Sequence, residues 1–209
     1  MNSKEYRNNP LFLRNEFIKD GIYGVPLIKK QSLNLDDVQL IACSDISAND
    51  TSNLHKGIHH FVDDFRFEVL YNKPDKNIDK YKKYRFVLTP DFSLYSEMYL
   101  WRQIESVGKN RWVGAYWQKK GLIVIPTISW SNASSFSFSF DGVEKNCVVA
   151  IGMIGCKKSR IAFMKGYNTM LDKIEPEAII CFGEPFPEME GNIIKVDYIS
   201  SRKVEHYGR

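Results

Sequence analysis

Continuous apolar runs constrain the fold of this chain more than any other feature of its sequence. Five runs rich in β-branched residues recur along the chain, and each is followed by a turn and a stretch of helical character. They cover residues 38–43, 84–88, 122–128, 147–151 and 178–182, and residues 193–196 add a sixth candidate. Because these runs lack the alternation of a strand with one wet face, they indicate strands buried on both faces of a parallel sheet.

Helical stretches between the runs complete a pattern of β-α-β units. Residues 96–120 place apolar side chains on one approximate stripe, with a predicted break at Gly108, and residues 159–174 repeat the pattern. Residues 63–70 are predicted as a short helix, and residues 129–142 as a loop with one helical turn. The alternation predicts an α/β fold with a mostly parallel sheet, as a compact or incomplete (β/α) barrel; an open doubly wound sheet is the alternative.

The length of the chain suits one domain. A chain of 209 residues can bury a sizeable core but is short for two domains, so residues 1–209 are predicted as a single unit. Within it, residues 1–30 are expected to form an irregular lead-in and residues 200–209 a flexible tail.

Composition narrows the class of protein. The net charge of +4 is too small for a protein that simply coats DNA, while short lysine clusters indicate either solvated faces or a nucleic-acid patch. Four cysteines without a CxxC pair give no zinc knuckle. No apolar stretch approaches the roughly 20 residues that span a bilayer, and the polar amino terminus is unlike a signal sequence. We therefore expect a cytoplasmic protein without a membrane partner.

Acidic residues follow three of the predicted strands. In parallel α/β folds, sites form beyond the carboxyl ends of the strands, which is where Asp45, Asp91 and Glu184 fall. Crowded carboxylates repel each other unless a cation or a shared proton intervenes, so these three are the predicted ligands of a divalent metal, Mg²⁺ or Mn²⁺. Helix capping by Asp45 or Asp91 is the alternative, with a gain of about 1 kcal/mol each.

Two adjacent histidines stand in the stretch GIHHFVDDF, residues 57–65. In an extended segment, alternation points His59 and Phe61 to one side, and His60 and Val62 to the other. His59 then faces the site as a base or metal ligand near neutral pH, and it joins Asp91 and Glu184 in the predicted catalytic set. A histidine hydrogen-bonded within the core is the alternative.

Residues 150–163 (AIGMIGCKKSRIAF) resemble a phosphate loop without meeting its GxxxxGK[ST] spacing. Gly155, Lys157 and Ser159 nevertheless follow a buried strand and precede a helix, so they predict an anion site. Trp130 follows another strand and is predicted to stack on a base or a sugar, or else to cover the core at its rim.

Several of these stretches together carry a family resemblance. In order and spacing, GIHHFVDDFRFEVLYNKP, VLTPDFSLY, RWVGAYWQKKGLIVIPTISW and SFSFSFDGVEKNCVVAIGMIG resemble a bacterial and phage family catalogued only as a domain of unknown function. The resemblance spans roughly residues 9–184, with TPDFS and IPTISW as its most specific pieces. His60 departs from it, because an aromatic residue is more usual there. The resemblance implies a phage or mobile-element protein and no particular activity.

Two hypotheses from different classes follow. In the first, the chain is an enzyme that binds a phosphorylated ligand, a nucleotide or nucleic acid, and hydrolyses a phosphodiester with the help of a metal. In the second, it is a non-catalytic binding module that acts on DNA or on a host or phage protein through surface aromatics and lysines. A degenerate barrel with structural duties alone is a third reading.

Overall fold

Seven parallel strands, arranged in sequence order, form the centre of the computed structural model. The structure describes residues 2–198, so the predicted tail at 200–209 lies outside the described residues. The helices are α1 (Ser3–Arg7), α2 (Pro10–Leu13), α3 (Val69–Asn72), α4 (Ile78–Tyr81), α5 (Leu100–Lys119) and α6 (Arg160–Ile174). The strands are β1 (Lys19–Asp20), β2 (Val25–Pro26), β3 (Leu40–Ala42), β4 (Gly57–His59), β5 (Phe86–Leu88), β6 (Val124–Ile125), β7 (Val148–Gly152), β8 (Ala178–Phe182) and β9 (Ile193–Val196). Three 3₁₀ turns cover Asp64–Arg66, Ala133–Ser137 and Cys156–Ser159.

The parallel strands form two ladders joined by a bridge. One ladder has the order β3-β4-β5-β6 and the other β7-β8-β9, and a parallel bridge between Thr127 and Ala150 connects them just beyond β6. Side chains from both ladders, among them Leu40, Leu88 and Ile180, share one interior cluster. The sheet therefore curls around a common core. Since no ladder joins β9 to β3 within residues 2–198, it is an incomplete (β/α) barrel, as the sequence predicts.

Strand residues alternate between two apolar environments. In β8, Ala178, Ile180 and Phe182 point into the shared interior, whereas Ile179 and Cys181 belong to an outer cluster that includes residues of α6. A second outer cluster packs α5 against the first ladder through residues that include Trp112, Val113 and Trp117. Both faces of the sheet are thus buried, which explains why the strand sequences are continuously apolar.

The predicted strands are confirmed, and one more lies among them. Each of the five apolar runs contains a strand, and residues 193–196 form β9. β4 pairs with both β3 and β5, so the stretch that carries the two adjacent histidines supplies an interior strand of the first ladder. The loop predicted at 129–142 contains the single 3₁₀ turn Ala133–Ser137, and the short helix predicted at 63–70 is split between a 3₁₀ turn and α3.

The predicted break in the long helix is wrong. α5 runs from Leu100 to Lys119 without interruption, and it begins four residues later than the predicted start at 96. A glycine in a helix costs about 1 kcal/mol relative to alanine. Burial of residues on several sides of α5 outweighs that cost, so Gly108 is simply accommodated. In the part of the chain that the structure describes, neither α5 nor any other helix combines the length and apolar character required to cross a bilayer.

Two glycines of α5 provide a matched test of this packing. A Cβ on Gly114 would lie 2.6 Å from both Ile28 Cδ1 and Thr89 Cγ2, whereas a Cβ on Gly108 would meet nothing within 4 Å. We expect Gly114→Ala to lower the free energy of unfolding by about 1–3 kcal/mol through overpacking, and Gly108→Ala to raise it by about 0.5–1 kcal/mol. Urea denaturation measures both. Equal effects of the two substitutions would contradict the close approach of α5 to Ile28 and Thr89.

The amino-terminal lead-in has more structure than the sequence predicts. Within residues 2–30 lie α1, α2 and the antiparallel pair β1-β2. The Arg14 guanidinium lies between the rings of Tyr71 and Trp112, at 3.6 and 3.9 Å from their centroids, and its Nη2 donates to the Tyr71 carbonyl at 2.7 Å. This cation-π contact fixes the lead-in against α3 and α5.

Candidate functional site

Two threonines lock together the loops that follow β5 and β6. The Thr127 amide donates to Thr89 Oγ1 at 2.8 Å, and Thr127 Oγ1 donates to the Thr89 carbonyl at 2.9 Å. Both side chains are almost completely buried, so these hydrogen bonds are shielded from water. The motifs TPDFS and IPTISW are therefore neighbours in space, and the residues that follow the threonines, Asp91 and Ser129, are brought to one place.

Asn110 of α5 ties the same two loops to the helix. Its Nδ2 donates to the carbonyls of Pro90, at 2.8 Å, and Thr127, at 3.2 Å. Its Oδ1 accepts from Thr89 Oγ1 at 3.0 Å and from Arg111 Nη1 at 2.6 Å. A buried amide that satisfies its donors and its acceptor in this way fixes the loop backbones.

Arg111 completes the network from within the protein. Its guanidinium donates to the main-chain carbonyls of Thr127, Ser139 and Asp141 at 2.8–3.0 Å. Burial lowers the pKa of Arg111 to about 10, so the side chain remains charged at neutral pH. We call Thr89, Asn110, Arg111 and Thr127 the Thr-Asn-Arg network; it forms a rigid base beneath the loop that carries Asp91.

The Asp91 carboxyl is the most perturbed acid at this end of the sheet. The residue is only partly accessible, and its Oδ1 is enclosed without a hydrogen-bond partner. Burial, with a further contribution from the negative charge of Asp64, raises the pKa of Asp91 from 3.8 to about 7, although Ser129 and Arg111 act in the opposite direction. Asp91 therefore exchanges a proton near neutral pH, which is the property required of a general acid-base group.

The Cys156 thiol lies near this carboxyl, and the Tyr198 phenol lies near the thiol. Burial, together with the charge of Asp91, raises the pKa of Cys156 to about 11, so the thiol stays protonated. Burial, together with the nearby Cys156, raises the pKa of Tyr198. The Tyr198 ring packs edge-on against Phe182, with 4.8 Å between centroids. The loops after β5, β7 and β9 thus converge. We call this region, centred on Asp91, Ser129 and Cys156, the carboxyl-end site.

His59 lies inside the barrel, as alternation predicts, but it is enclosed by aromatic rings. Its ring is 4.5 Å from that of Phe182 and 5.7 Å from that of Phe61. Nδ1 accepts from the Phe61 amide at 3.2 Å, which leaves the proton on Nε2, and Nε2 is buried without a partner. Burial lowers the pKa of His59 to about 3. The expected role as a base near neutral pH does not fit these surroundings, whereas a neutral hydrogen-bond donor does.

His60 occupies the opposite side and is fully satisfied there. Nδ1 lies 3.0 Å from the Leu88 carbonyl, and Nε2 lies 3.1 Å from the Tyr81 hydroxyl. The ring also stacks on Trp117. His60 is a core side chain, with the aromatic surroundings that an aromatic residue at this position would also accept.

The three predicted metal ligands do not form one group. Among residues 2–198, no cluster of three or more His, Cys, Asp or Glu side chains is placed to hold a metal ion. Glu184 is exposed and forms an ion pair with Lys195, and Asp45 accepts a hydrogen bond from the Ser44 hydroxyl at 3.1 Å. The expected convergence on Asp91 fails because both of these side chains have partners of their own outside the carboxyl-end site.

The predicted ligand-binding residues divide into two sets. Gly155, Lys157 and Ser159 lie exposed on the loop that follows β7, with Gly155 at a φ of 78° where it begins the 3₁₀ turn before α6. They therefore stand at the same end of the sheet as Asp91. Trp130 instead packs on Phe163 at 4.9 Å between ring centroids and lies over Gly166 of α6, so it covers the outer core.

Sequence reasoning missed the residues that position the site. Asp64 accepts from the Ser93 amide at 3.1 Å and the Ser93 hydroxyl at 2.8 Å, which joins the turn after β4 to the loop after β5. Asn110 and Arg111 were hidden within a long helix. Their spacing of three and four residues from Val107 places them on the same buried stripe, and that was the available signal.

A groove of about 670 Å³ runs along the outer face of α6. Ile161, Met164 and Leu171 line it together with the ion pair of Arg160 and Glu188. No residue of the carboxyl-end site lines the groove, so it is a separate surface feature.

Comparisons with known proteins give a family but no activity. The chain is 37% identical over 130 residues to the Gene 1 protein of Mycobacterium phage L5, which covers 61% of this chain and 57% of that protein. It is 35% identical over 129 residues to the Gene 1 protein of Mycobacterium phage D29, covering 60% and 48% respectively. The chain thus spans about half the length of the curated relatives it matches. No solved structure matches it. The family description Domain of unknown function (DUF4417) matches residues 17–199, and the chain therefore belongs to that family.

Proposed function

We propose that the carboxyl-end site binds a nucleotide, free or as one unit of a nucleic acid, and that Asp91 transfers a proton to or from it. The observation that carries the proposal is the enclosed, unpartnered Oδ1 of Asp91 at the carboxyl end of a parallel sheet. A buried acceptor without a partner costs free energy, so its persistence is typical of a group that a ligand completes.

The loop after β7 supports a phosphorylated ligand in particular. Gly155 begins a turn that leads into α6, a helix of 15 residues whose amino-terminal end carries a partial positive charge. Lys157 and Lys158 are exposed on that turn. Backbone amides, a helix dipole and two ammonium groups at one edge of the site favour an anion such as phosphate.

The proposed chemistry is hydrolysis of a phosphodiester or phosphoanhydride bond. Near neutral pH, Asp91 is present both as carboxylate and as acid, so it can accept a proton from an attacking water or donate one to a leaving oxygen. A divalent ion, if held at Asp91, would supply positive charge that polarises the phosphate in either step. The relatives are phage proteins, and we place this chain in the same phage or mobile-element setting, in the cytoplasm of the host.

The alternative function is a binding module without catalysis. Exposed aromatic side chains at the same end of the sheet favour it, since they offer contact area that a small active site does not need. The two functions differ in what Asp91 contributes. Catalysis requires the Asp91 carboxyl to transfer a proton, whereas binding without catalysis requires only a side chain of similar size and shape at this position.

Ligand titration with two matched variants tests the proposal. The melting temperature of the protein is measured with nucleoside mono-, di- and triphosphates, with and without manganese, and hydrolysis of bis(p-nitrophenyl) phosphate is followed in parallel. We expect Asp91→Asn to weaken binding by about 10- to 100-fold, as for loss of a charged hydrogen bond, and to lower any hydrolysis by about 100-fold or more.

Asp63→Asn is the control, because Asp63 is exposed and makes no capping hydrogen bond. It should bind and hydrolyse as the wild type does. Binding that is retained in Asp91→Asn together with the absence of hydrolysis would favour the binding module. The proposal is overturned if no nucleotide raises the melting temperature of the wild type.

A further inference from the structure

Large apolar side chains are exposed at the start of α5 and on the loop before it, at the carboxyl end of the sheet. The exposed fraction is 62% for Tyr95, 79% for Tyr99, 44% for Leu100 and 63% for Trp101, and Phe65 on the neighbouring turn is 69% exposed. Single exposed apolar residues are ordinary, but large apolar side chains grouped in this way mark an interaction surface. We call these five side chains the aromatic face.

Hydrogen bonds hold the aromatic face in place. The Ser93 hydroxyl donates to Asp64 at 2.8 Å and lies 3.2 Å from the Tyr95 hydroxyl, which fixes Tyr95 beside the turn that carries Phe65. The Ser106 hydroxyl of α5 donates to the Ser93 carbonyl at 3.0 Å. A surface that is ordered before binding loses less conformational entropy when a partner arrives.

The segments that carry the aromatic face are acidic, although the chain as a whole is basic. Residues 61–70 and 91–105 contain six acidic side chains and two arginines, a formal net charge of −4, against +4 for the whole chain. Asp63, Glu68 and Glu97 are exposed, and within residues 2–198 none of the three forms an ion pair. Unpaired carboxylates therefore accompany the exposed rings along the chain.

The two arginines of these segments do not reverse the balance. Arg102 pairs with Glu105 on α5, so its charge is neutralised within the protein. Arg66 lies 5.2 Å from the ring centroid of Phe65 and is the cation that remains. Three unpaired carboxylates against one cation leave this surface negative.

We propose that the aromatic face binds a segment of another protein that presents arginine or lysine side chains among apolar ones. A cationic side chain can lie over an aromatic ring and pair with a carboxylate at the same time. Tyr99 and Glu97 offer these two groups two residues apart, both exposed. The apolar side chains of the segment cover Leu100 and Trp101, and tryptophan and tyrosine are the residues that most often dominate binding energy in protein interfaces.

The same charges disfavour other occupants. Unpaired carboxylates repel the phosphates of a nucleic acid. A second copy of the chain, docked through the same face about a twofold axis, would place the same carboxylates opposite each other. The inference goes beyond the proposed function and does not depend on it, so nucleotide binding and hydrolysis are expected to be unchanged in the variants used below.

Selection from a library of random peptides tests the inference, with peptides of about 12 residues that reach about 40 Å when extended. Peptides that bind the wild-type chain but not the variant Tyr99→Ala/Trp101→Ala are kept and sequenced. We expect them to contain more arginine and lysine than the starting library. The double variant should bind them about 30-fold or more weakly, because it lacks two large rings at the centre of the contact.

A second measurement isolates the charge. One selected peptide is labelled, and its affinity is measured by fluorescence anisotropy. Glu97→Lys is expected to weaken binding by about tenfold, because it places a positive charge opposite the cations of the peptide. Asp79→Lys makes the same change of charge on α4, which leads into β5 rather than out of it, and should weaken binding by less than about twofold.

Phe12→Ala is the control for loss of a ring, since Phe12 is 52% exposed but lies on α2. Its affinity should equal that of the wild type, and all variants should melt close to the wild type because the altered side chains are exposed. The inference is overturned if no peptide distinguishes the wild type from the double variant, if the retained peptides are not enriched in arginine and lysine, or if Glu97→Lys and Asp79→Lys act equally.

Two further outcomes would give the aromatic face to a different occupant and overturn the inference as well. One is a labelled oligo(dT) strand that binds more tightly than the peptide and is lost in Tyr99→Ala/Trp101→Ala. The other is a dimer of the wild type in sedimentation equilibrium that the same double variant does not form. We expect neither.

Discussion

Asp91→Asn is expected to stabilise the ligand-free protein at pH 8 by about 2–4 kcal/mol, although it removes the residue on which the proposed function depends. The reason is that ionising Asp91 in the folded state leaves a charge with one oxygen enclosed and unpartnered. Its pKa rises from 3.8 in the unfolded chain to about 7 in the folded protein. Three units at about 1.4 kcal/mol each set the upper end of the range.

The sign of the pH dependence follows from proton binding. Below pH 4 the carboxyl is protonated in both states and contributes nothing to the pH dependence. Between pH 4 and pH 7 the unfolded chain loses the proton while the folded protein keeps it, so stability falls as pH rises. Above pH 7 the penalty is constant. Asparagine cannot ionise, so Asp91→Asn should remove this part of the decline.

Urea denaturation between pH 4 and pH 8 measures this effect, and Asp50 offers a contrast of opposite sign. Asp50 is half-buried, and hydrogen bonds from Tyr84, Asn53 and Ser52 outweigh desolvation and lower its pKa. Asp50→Asn should therefore lose stability at neutral pH rather than gain it. If Asp91→Asn is no more stable than the wild type at pH 8, the conclusion that this carboxyl is buried and has a raised pKa is wrong.

Gain of stability on loss of a functional group has a general cause. Polar groups that are positioned for a ligand lack hydrogen-bond partners when the ligand is absent. A protein that keeps such groups for function is therefore less stable than it could be. His59 follows the same logic, with a buried Nε2 that has no partner, whereas His60 is satisfied on both nitrogens. His59, whose Nε2 lacks a hydrogen-bond partner, is the one of the two histidines that lies in the barrel interior, next to the rings of Phe61 and Phe182.

The fold could be predicted from the sequence because strands that are buried on both faces are apolar at every position. Runs such as 147–151 and 178–182 are apolar at every position, and they became β7 and β8. β4 left a weaker trace, since its three residues include a glycine and a histidine. Gly108 misled because a local propensity of about 1 kcal/mol was weighed without the packing of the whole helix.

The site was predictable only where position along a strand determines it. Asp91 stands out because it follows a strand, and parallel strands place their carboxyl ends together. The same rule led to the incorrect prediction that Asp45 and Glu184 lie beside Asp91. The rule gives the end of the sheet at which a loop lies, but not the direction in which a side chain on that loop points. Glu184 turns towards Lys195 instead.

Arg111→Met is expected to lower the free energy of unfolding by about 2–5 kcal/mol, the largest loss among the predicted substitutions. Methionine fills much of the volume but donates no hydrogen bond, so the carbonyls of Ser139 and Asp141 lose the partner that Arg111 gives them. Each buried carbonyl left unpaired costs about 1–3 kcal/mol. Relief of the desolvation of the guanidinium offsets part of the loss.

Two further variants separate charge from geometry. Arg111→Lys keeps the charge but lacks the planar fork that reaches three carbonyls, so we expect an intermediate loss of about 1–3 kcal/mol. Arg102→Met removes an arginine from the exposed surface of the same helix and should change stability by less than about 0.5 kcal/mol. A loss below 1 kcal/mol for Arg111→Met would show that the network is not needed to close the fold.

Arg111→Met should also change the pKa of Asp91. The positive charge of Arg111 lowers the pKa of Asp91, so its removal raises that pKa further and shifts the pH window of the stability decline upward. Because Asp91 and Arg111 act on one another through the loop after β5, the effects of Asp91→Asn and Arg111→Met should not add. A double-mutant cycle at pH 8 measures the coupling. Simple additivity would mean that the Thr-Asn-Arg network supports the fold without tuning the carboxyl above it.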